Sequence, residues 1–257
     1  MVSALDFPWL APILMSPIAG SFVGVLIRRL PNGQAVAWAR SRCESCQRPL
    51  VPTDLVPIAS YLALRGRCAT CRAPIAPFHL AIELAAVAVA VWAATVNRDP
   101  AWLWTACLLG WGLLALGWID AEHMRLPDAL TLPLLAAGIA TQTMLSPERF
   151  ADSVLGAALG YLGFRAAAIM YRLVRGREGL GGGDAKLLSV AGAWVGWAAL
   201  PDVVLLAAVL GLGLVAIMHI RGRSMDRLTM IPFGPCLALA LWMIYLYGAV
   251  LFGSLGG

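Results

Sequence analysis

With 257 residues, 60% of them hydrophobic, and a mean hydropathy of +0.79, the chain holds more apolar surface than a soluble domain of its length can bury. The net charge of +5 would suit a nucleic-acid partner, but the basic residues are distributed by topology, so none is expected. What remains is an all-α polytopic membrane protein.

At about 20 residues per crossing, eight transmembrane helices are expected, near 8–27, 80–97, 101–119, 129–146, 152–171, 185–200, 203–218 and 230–252. The first is expected to be retained rather than cleaved as a signal, since Asp6 precedes it and Arg28-Arg29 follow it. With residues 29–79 in the cytoplasm, all but Arg98, Arg149 and Arg165 of the 19 Lys and Arg lie on that side or at its boundary. Both termini are then outside, and the loops at 29–79, 120–128, 172–184 and 219–229 are inside.

The first crossing carries Gly20-Ser21-Phe22-Val23-Gly24, small residues that let helices approach closely. The polar insertion 29–79 follows. Prolines at 49, 52, 57, 74 and 77 make it turn-rich, and it has too few apolar residues for an ordinary core. Cys43, Cys46, Cys68 and Cys71 supply a staple, as two C-x-x-C pairs separated by 21 residues. Four thiolates complete a tetrahedral zinc site, whereas a redox dithiol needs one pair and a cytosolic address disfavours disulfides. A set of four thiolates leaves no open coordination position, so the zinc is expected to be structural and the insertion zinc-ribbon-like. Cys107 and Cys236 sit in apolar crossings and read as small core residues.

Glu83 opens the second expected crossing, behind His79. It is either a charge at the positive end of a helix or part of a second site. The third crossing ends in Trp118-Ile119-Asp120-Ala121-Glu122-His123, with Asp120 at its cytoplasmic mouth. Glu122 and His123 read as solvated loop residues. Asp128 after Pro127, and Asp202 after Pro201, read as caps of the helices they precede. In the fifth crossing, Gly156, Gly160 and Gly163 suit close helix packing.

Arg172, Arg175, Arg177 and Glu178 lead into Gly179–Lys186, which reads Gly-Leu-Gly-Gly-Gly-Asp-Ala-Lys. Glycines without a Cβ let this loop press Asp184 against a neighbouring helix. Asp184 either caps the sixth crossing or works chemically, and acids at the mouth of a membrane helix are functional hypotheses by default. Ile231-Pro232-Phe233-Gly234-Pro235 opens the eighth crossing and breaks helix locally, as a kink or as one wall of a site.

Under this topology Asp120 ends an inward helix and Asp184 begins an outward one, so both acids lie near the cytoplasmic surface. Two carboxylates held close cannot both ionise easily and share a proton. The ionised one activates water, and the protonated one donates to the scissile carbonyl oxygen. That is aspartic proteolysis. Neither H-E-x-x-H nor G-x-S-x-G occurs. A transporter using these acids as ion sites would be expected to show repeated halves, and an assembly scaffold has no use for an acid opposite a glycine loop.

The motifs resemble, in order and spacing over nearly the whole chain, the type IV prepilin leader peptidases, membrane aspartic proteases with a G-x-G-D motif. The match runs through Gly20-Ser21-Phe22, the paired C-x-x-C segments, and Ile119-Asp120-Ala121 with Leu126-Pro127-Asp128. It continues through Arg177–Leu188, Gly192-Ala193-Trp194 and Ile231–Pro235. The resemblance implies Asp120 and Asp184 as the catalytic pair, with type IV prepilins and type II secretion pseudopilins as substrates, cut after a leader glycine. It implies a bacterial inner-membrane address with the site at the cytoplasmic face, in contact with lipid. It also implies N-methylation of the new terminus from S-adenosylmethionine, associated with the insertion and with Glu83. The implied division is a first helix at 1–28, a methyltransferase-associated insertion at 29–79 and a seven-helix peptidase core at 80–257. One departure stands out: the family reads Arg-Tyr-Pro-x-Val-Glu where this chain has Phe78-His79-Leu80-Ala81-Ile82-Glu83.

Overall fold

The computed structural model describes residues 8–36, 40–176, 181–221 and 232–249. Arg177, Glu178, Gly179 and Leu180, most of the basic loop 221–227, Ile231 and the last part of the eighth expected crossing lie outside these residues. Helix is the regular element of the described residues, and no strand occurs among them. We label the helices α1 (Leu10–Arg29), α2 (Ala59–Ala63), α3 (Pro77–Val96), α4 (Pro100–His123), α5 (Asp128–Leu145), α6 (Phe150–Arg175), α7 (Gly182–Val195), α8 (Leu200–Ile220) and α9 (Gly234–Tyr247). Pro77, Pro201 and Pro235 stand at the first or second helical position, where a missing N–H costs nothing. Gly176, with φ +67°, closes α6 in the left-handed conformation its last turn needs.

All but α2 correspond to the expected crossings. Among the described residues five helices are long and apolar enough to cross a membrane: α1, α3, α4, α6 and α8, with α1 and α6 lengthened by adjoining turns. The other three fall short of the expected eight. With 14 residues each, α7 and α9 measure about 21 Å at about 1.5 Å per residue, against a hydrocarbon layer of about 30 Å. In α5, Asp128, Thr131, Thr141, Gln142 and Thr143 dilute the apolar run.

The described chain forms two compact units, residues 1–115 and 116–257. In the first, α1 packs along α3. Gly20 faces the Glu83 backbone so closely that a Cβ would lie 2.7 Å from its Cα, and at Gly24 one would lie 3.2 Å from Ile82 Cγ2. The small-residue stretch therefore packs, as its composition predicts.

In the second unit α7 is buried almost all round, from Leu187 to Trp194, and packs against α5, α6 and α9. This accounts for the charge-free run after Lys186. Gly156 of α6 meets Gly192 of α7 backbone to backbone, and Gly160 faces the Leu188 carbonyl. Ser189 Oγ donates to the Ala157 carbonyl at 2.8 Å, closing the same interface. On the α5 side, Trp194 Nε1 donates to the Leu134 carbonyl at 2.9 Å, and Gln142 Nε2 donates to the Trp194 carbonyl at 2.8 Å. The indole lies over Gly138, where a Cβ would stand 2.6 Å from it. These contacts fix the helix whose first turn carries Asp184.

Candidate active site and metal centre

The four cysteines of the insertion come together with their Sγ atoms within 4.8 Å of one another. Two superimposable turns bring them there. Cys43 N–H donates to the Arg48 carbonyl, Gln47 N–H to the Cys43 carbonyl and Leu50 N–H to the Ser41 carbonyl, each at 2.9 Å. At the same offsets Cys68 donates to Ala73 (2.9 Å), Arg72 to Cys68 (3.1 Å) and Ile75 to Gly66 (2.8 Å). Gln47 and Arg72 take matching left-handed conformations, with φ of 56° and 60°. The sequence signal for this repetition is C-x-x-C-x-x-P-(Leu/Ile), present at 43–50 and again at 68–75.

The donor set fits zinc. Bonds of about 2.3 Å from a tetrahedral zinc put sulfurs about 3.8 Å apart, and Cys43 Sγ lies 3.8 Å from Cys71 Sγ. The backbone N–H of Cys71, then that of Thr70, holds the Cys68 thiol down to about 6. The Cys46 and Ser45 N–H groups lower Cys43 likewise. The thiolate, the form that binds metal, is favoured at Cys43 and Cys68. At Cys71 the Ala73 N–H is outweighed by desolvation and the neighbouring thiols, which push the thiol up to about 11.

Beside the cysteines lies a cavity of about 300 Å³, lined among others by Ser21, Arg28, Cys43, Cys68, His79 and Glu83. Glu83 is the seventh residue of α3, beyond its first turn, so the helix-end reading of this acid does not hold. The helix starts earlier than expected because Pro77 opens it. Glu83 is buried and accepts the Ile58 N–H at 2.7 Å and the Ser21 hydroxyl. Ile58 reaches it from a φ of 61°, an outlier for a β-branched side chain that costs about 1–3 kcal/mol. Sequence reasoning missed both partners, since neither residue type marks a carboxylate clamp.

In the second unit Asp120 and Asp184 come within electrostatic range of each other. Asp120 lies in the last turns of α4 and is 7% exposed. Its Oδ2 accepts the Gly234 N–H at 2.9 Å, so the positive end of α9 faces this carboxylate. A Cβ on Gly234 would stand 2.5 Å from the same oxygen. The Pro-Phe-Gly-Pro stretch is therefore a wall against Asp120 in its described part, Pro232–Pro235.

Asp184 is half-buried at the third position of α7, and its carboxylate accepts the Gly181 N–H. Asp184 thus stands inside the first turn of α7, within electrostatic range of a second acid. The glycines serve close approach, since a Cβ on Gly183 would lie 3.2 Å from Leu126. Arg165 Nη1 would lie 3.9 Å from a Cβ on Gly182, which brings the lone cation of the fifth expected crossing to this loop.

Three smaller expectations are corrected. Asp128 is the first residue of α5 and caps nothing with its side chain; it pairs instead with Lys186 Nζ. Asp202, third in α8, lies inside the helix rather than before it and is buried. Glu122 and His123 belong to the last turn of α4, where Glu122 accepts Trp118 Nε1–H at 2.8 Å. The N–H of Met124, bonded to the Asp120 carbonyl, closes that turn.

This pairing of two acids, one facing a helix N-terminus, can activate water and protonate a carbonyl oxygen. Comparison with known proteins points the same way. The profile of the Type IV leader peptidase family matches residues 107–216, and that of the Bacterial Peptidase A24 N-terminal domain matches 14–96. The Prepilin leader peptidase/N-methyltransferase of Pseudomonas aeruginosa is 36% identical over 265 residues, covering 93% of this chain and 90% of that protein. The proteins of the same name from Aeromonas hydrophila and Burkholderia pseudomallei are 37% and 38% identical, covering 95% of this chain and 93% and 87% of theirs. No solved structure gives a significant match. Two acids at neighbouring helix ends, an insertion holding four clustered cysteines and identity sustained along the chain agree, and the chain belongs to the type IV leader peptidase family.

Proposed function

We propose that this chain is a membrane aspartic endopeptidase that removes the leader of type IV prepilins and type II secretion pseudopilins after glycine, then methylates the new amino terminus. The observation that carries the proteolytic half is that Asp120 and Asp184 lie within electrostatic range of each other, with the Gly234 N–H bonded to Asp120. Asp120, facing that N–H, is suited to the ionised role that takes a proton from water. Asp184 then donates its proton to the scissile carbonyl oxygen. The names of the relatives support the substrate class. Five helices able to span support a multi-pass protein of the bacterial inner membrane. The distribution of Lys and Arg supports a cytoplasmic-face site, eight crossings and contact with substrate helices embedded in lipid.

Methyl transfer is assigned to the cavity around Glu83. Arg28, Arg29 and Glu83 line one space of about 300 Å³, a charge set that fits a ligand bearing both a carboxylate and a positive sulfonium. S-adenosylmethionine would supply the methyl group there. Cys43, Cys46, Cys68 and Cys71 would hold a structural zinc that stiffens the cavity wall. With α3 packed on α1 beside the insertion, this half of the function extends beyond 29–79, and the peptidase residues of an 80–257 core concentrate after residue 115.

The test is mass spectrometry of a prepilin incubated with the detergent-purified protein, with and without S-adenosylmethionine. A product trimmed after its leader glycine supports the peptidase, and an added methyl mass supports the transferase. An unchanged prepilin with folded enzyme and lipid present overturns the reading.

A further inference from the structure

His79 is the third residue of α3, one helical turn before Glu83, so the two side chains rise on the same face. Both line the cavity, and His79 is also exposed at its rim. Its ring packs edge-on against Phe78, with centroids 5.4 Å apart, and Phe78 in turn lies under the Arg28 guanidinium. The charges facing the imidazole are Arg28 from α1 and Glu44 from the insertion. Arg29, Arg42 and the Arg48–Asp54 ion pair line the same space. Cys43, Cys68 and Tyr61 also line it. Apart from the cysteines, which the zinc site would take up, only an imidazole among these groups releases and takes a proton near neutral pH.

Methyl transfer to a peptide amino terminus needs such a group. An α-amine has a pKa of about 8, so near pH 7 roughly nine in ten termini are ammonium ions with no lone pair to donate. Glu83 already accepts two hydrogen bonds and is buried, whereas His79 is open to water on one side and to the cavity on the other.

We propose that His79 is the proton acceptor of the methyl transfer, taking a proton from the substrate's terminal ammonium and passing it to solvent at the cavity rim. This rests on the methyl-transfer reading above. The ammonium gives one proton to an imidazole nitrogen. The freed lone pair forms the N–C bond as the S–C bond breaks, leaving S-adenosylhomocysteine. The proton on His79 then leaves through the exposed rim.

The experiment compares the full-length wild type with His79→Gln across pH 6 to 9, on a pre-cleaved pilin with a free amino terminus. Prepilin cleavage in parallel reports the fold. Methylation by H79Q is expected to fall about tenfold near pH 7 and to recover above about pH 8.5, where the amine deprotonates unaided. Loss by the same factor at every pH, or no loss, overturns the inference while leaving methyl transfer intact. No methyl mass from the wild type overturns the transferase reading and this inference with it. If H79Q also stops cleaving, the wild-type profile decides. A rate that holds down to pH values well below the amine's pKa supports His79; one that follows the amine near about pH 8 overturns it. A second readout needs no turnover. The chain has three histidines, so the imidazole NMR signal missing from H79Q identifies His79. That signal is expected to shift when S-adenosylmethionine is added alone, and an unmoved signal overturns its placement at the methyl-transfer site.

Discussion

The cysteine cluster and the aspartate pair are assembled by opposite means. Each knuckle is a run of eight residues whose three backbone hydrogen bonds stay within or beside it, and the ligands need only that local turn to point correctly. The aspartates lie on separate helices, and their approach depends on how α4, α5, α6, α7 and α9 pack. Glycine contacts at Gly156, Gly192 and Gly234 govern that packing, together with the Trp194 hydrogen bonds. A site made of local turns tolerates change elsewhere. A site made by packing fails when any one contact widens.

The largest break in this comparison comes at the acids themselves. Asp120→Asn or Asp184→Asn is expected to lower prepilin cleavage by at least about 10²–10⁴-fold, with the zinc content of the purified protein unchanged. Cleavage retained by either variant would remove the pair from the chemistry.

Gly234→Ala comes next. Its methyl group would stand 2.5 Å from Asp120 Oδ2, so the carboxylate or α9 must move. Cleavage is expected to drop at least about tenfold, because displacements of about 1 Å cost about 10²-fold in positioned reactions. Metal analysis and methylation of a pre-cleaved pilin are expected to be unaffected. Wild-type cleavage by a folded G234A protein would mean that this N–H is dispensable.

Cysteine removal sharpens the contrast from the other side. Wild-type protein prepared without chelator is expected to hold about one zinc per chain, and Cys43→Ser or Cys68→Ser to lose it. Methylation should then fall further than cleavage, measured on the same preparation. A folded C43S protein that has lost cleavage outright would tie the metal to proteolysis.

The smallest effect is expected at Asp128→Asn. Its partner Lys186 is more than a third exposed, and exposed pairs contribute about 0–1 kcal/mol. Most cleavage should survive, with at most a few-fold loss in rate.

The same division explains what could be read from the residues alone. The four-cysteine site was legible because its geometry is encoded within eight-residue stretches, and even the repetition missed at first is written there as Pro49-Leu50 and Pro74-Ile75. Asp120 and Asp184 stood out in the sequence as two acids at helix mouths, but the packing that supports them did not. Gly156 and Gly192 are 36 positions apart, and nothing in either neighbourhood names the other. Glu83 was misread as a helix opener because Pro77 starts α3 before the expected crossing at 80, which puts Glu83 beyond the first turn. Asp128 looked like a cap, but the helix begins on it and its carboxylate turns to Lys186 instead. Five of the eight expected crossings are long and apolar enough to span among the described residues, and the apolar character of α7 goes with its burial among α5, α6 and α9.

The matched knuckles also have a use. Since 43–50 and 68–75 close the same three backbone hydrogen bonds at the same offsets, they are interchangeable parts. Exchanging the two octapeptides retains the four cysteines while swapping Glu44 with Ala69, Gln47 with Arg72, and Arg48, the ion-pair partner of Asp54, with Ala73. The wall of the neighbouring cavity could thus be recoded, charge by charge, on a scaffold left untouched.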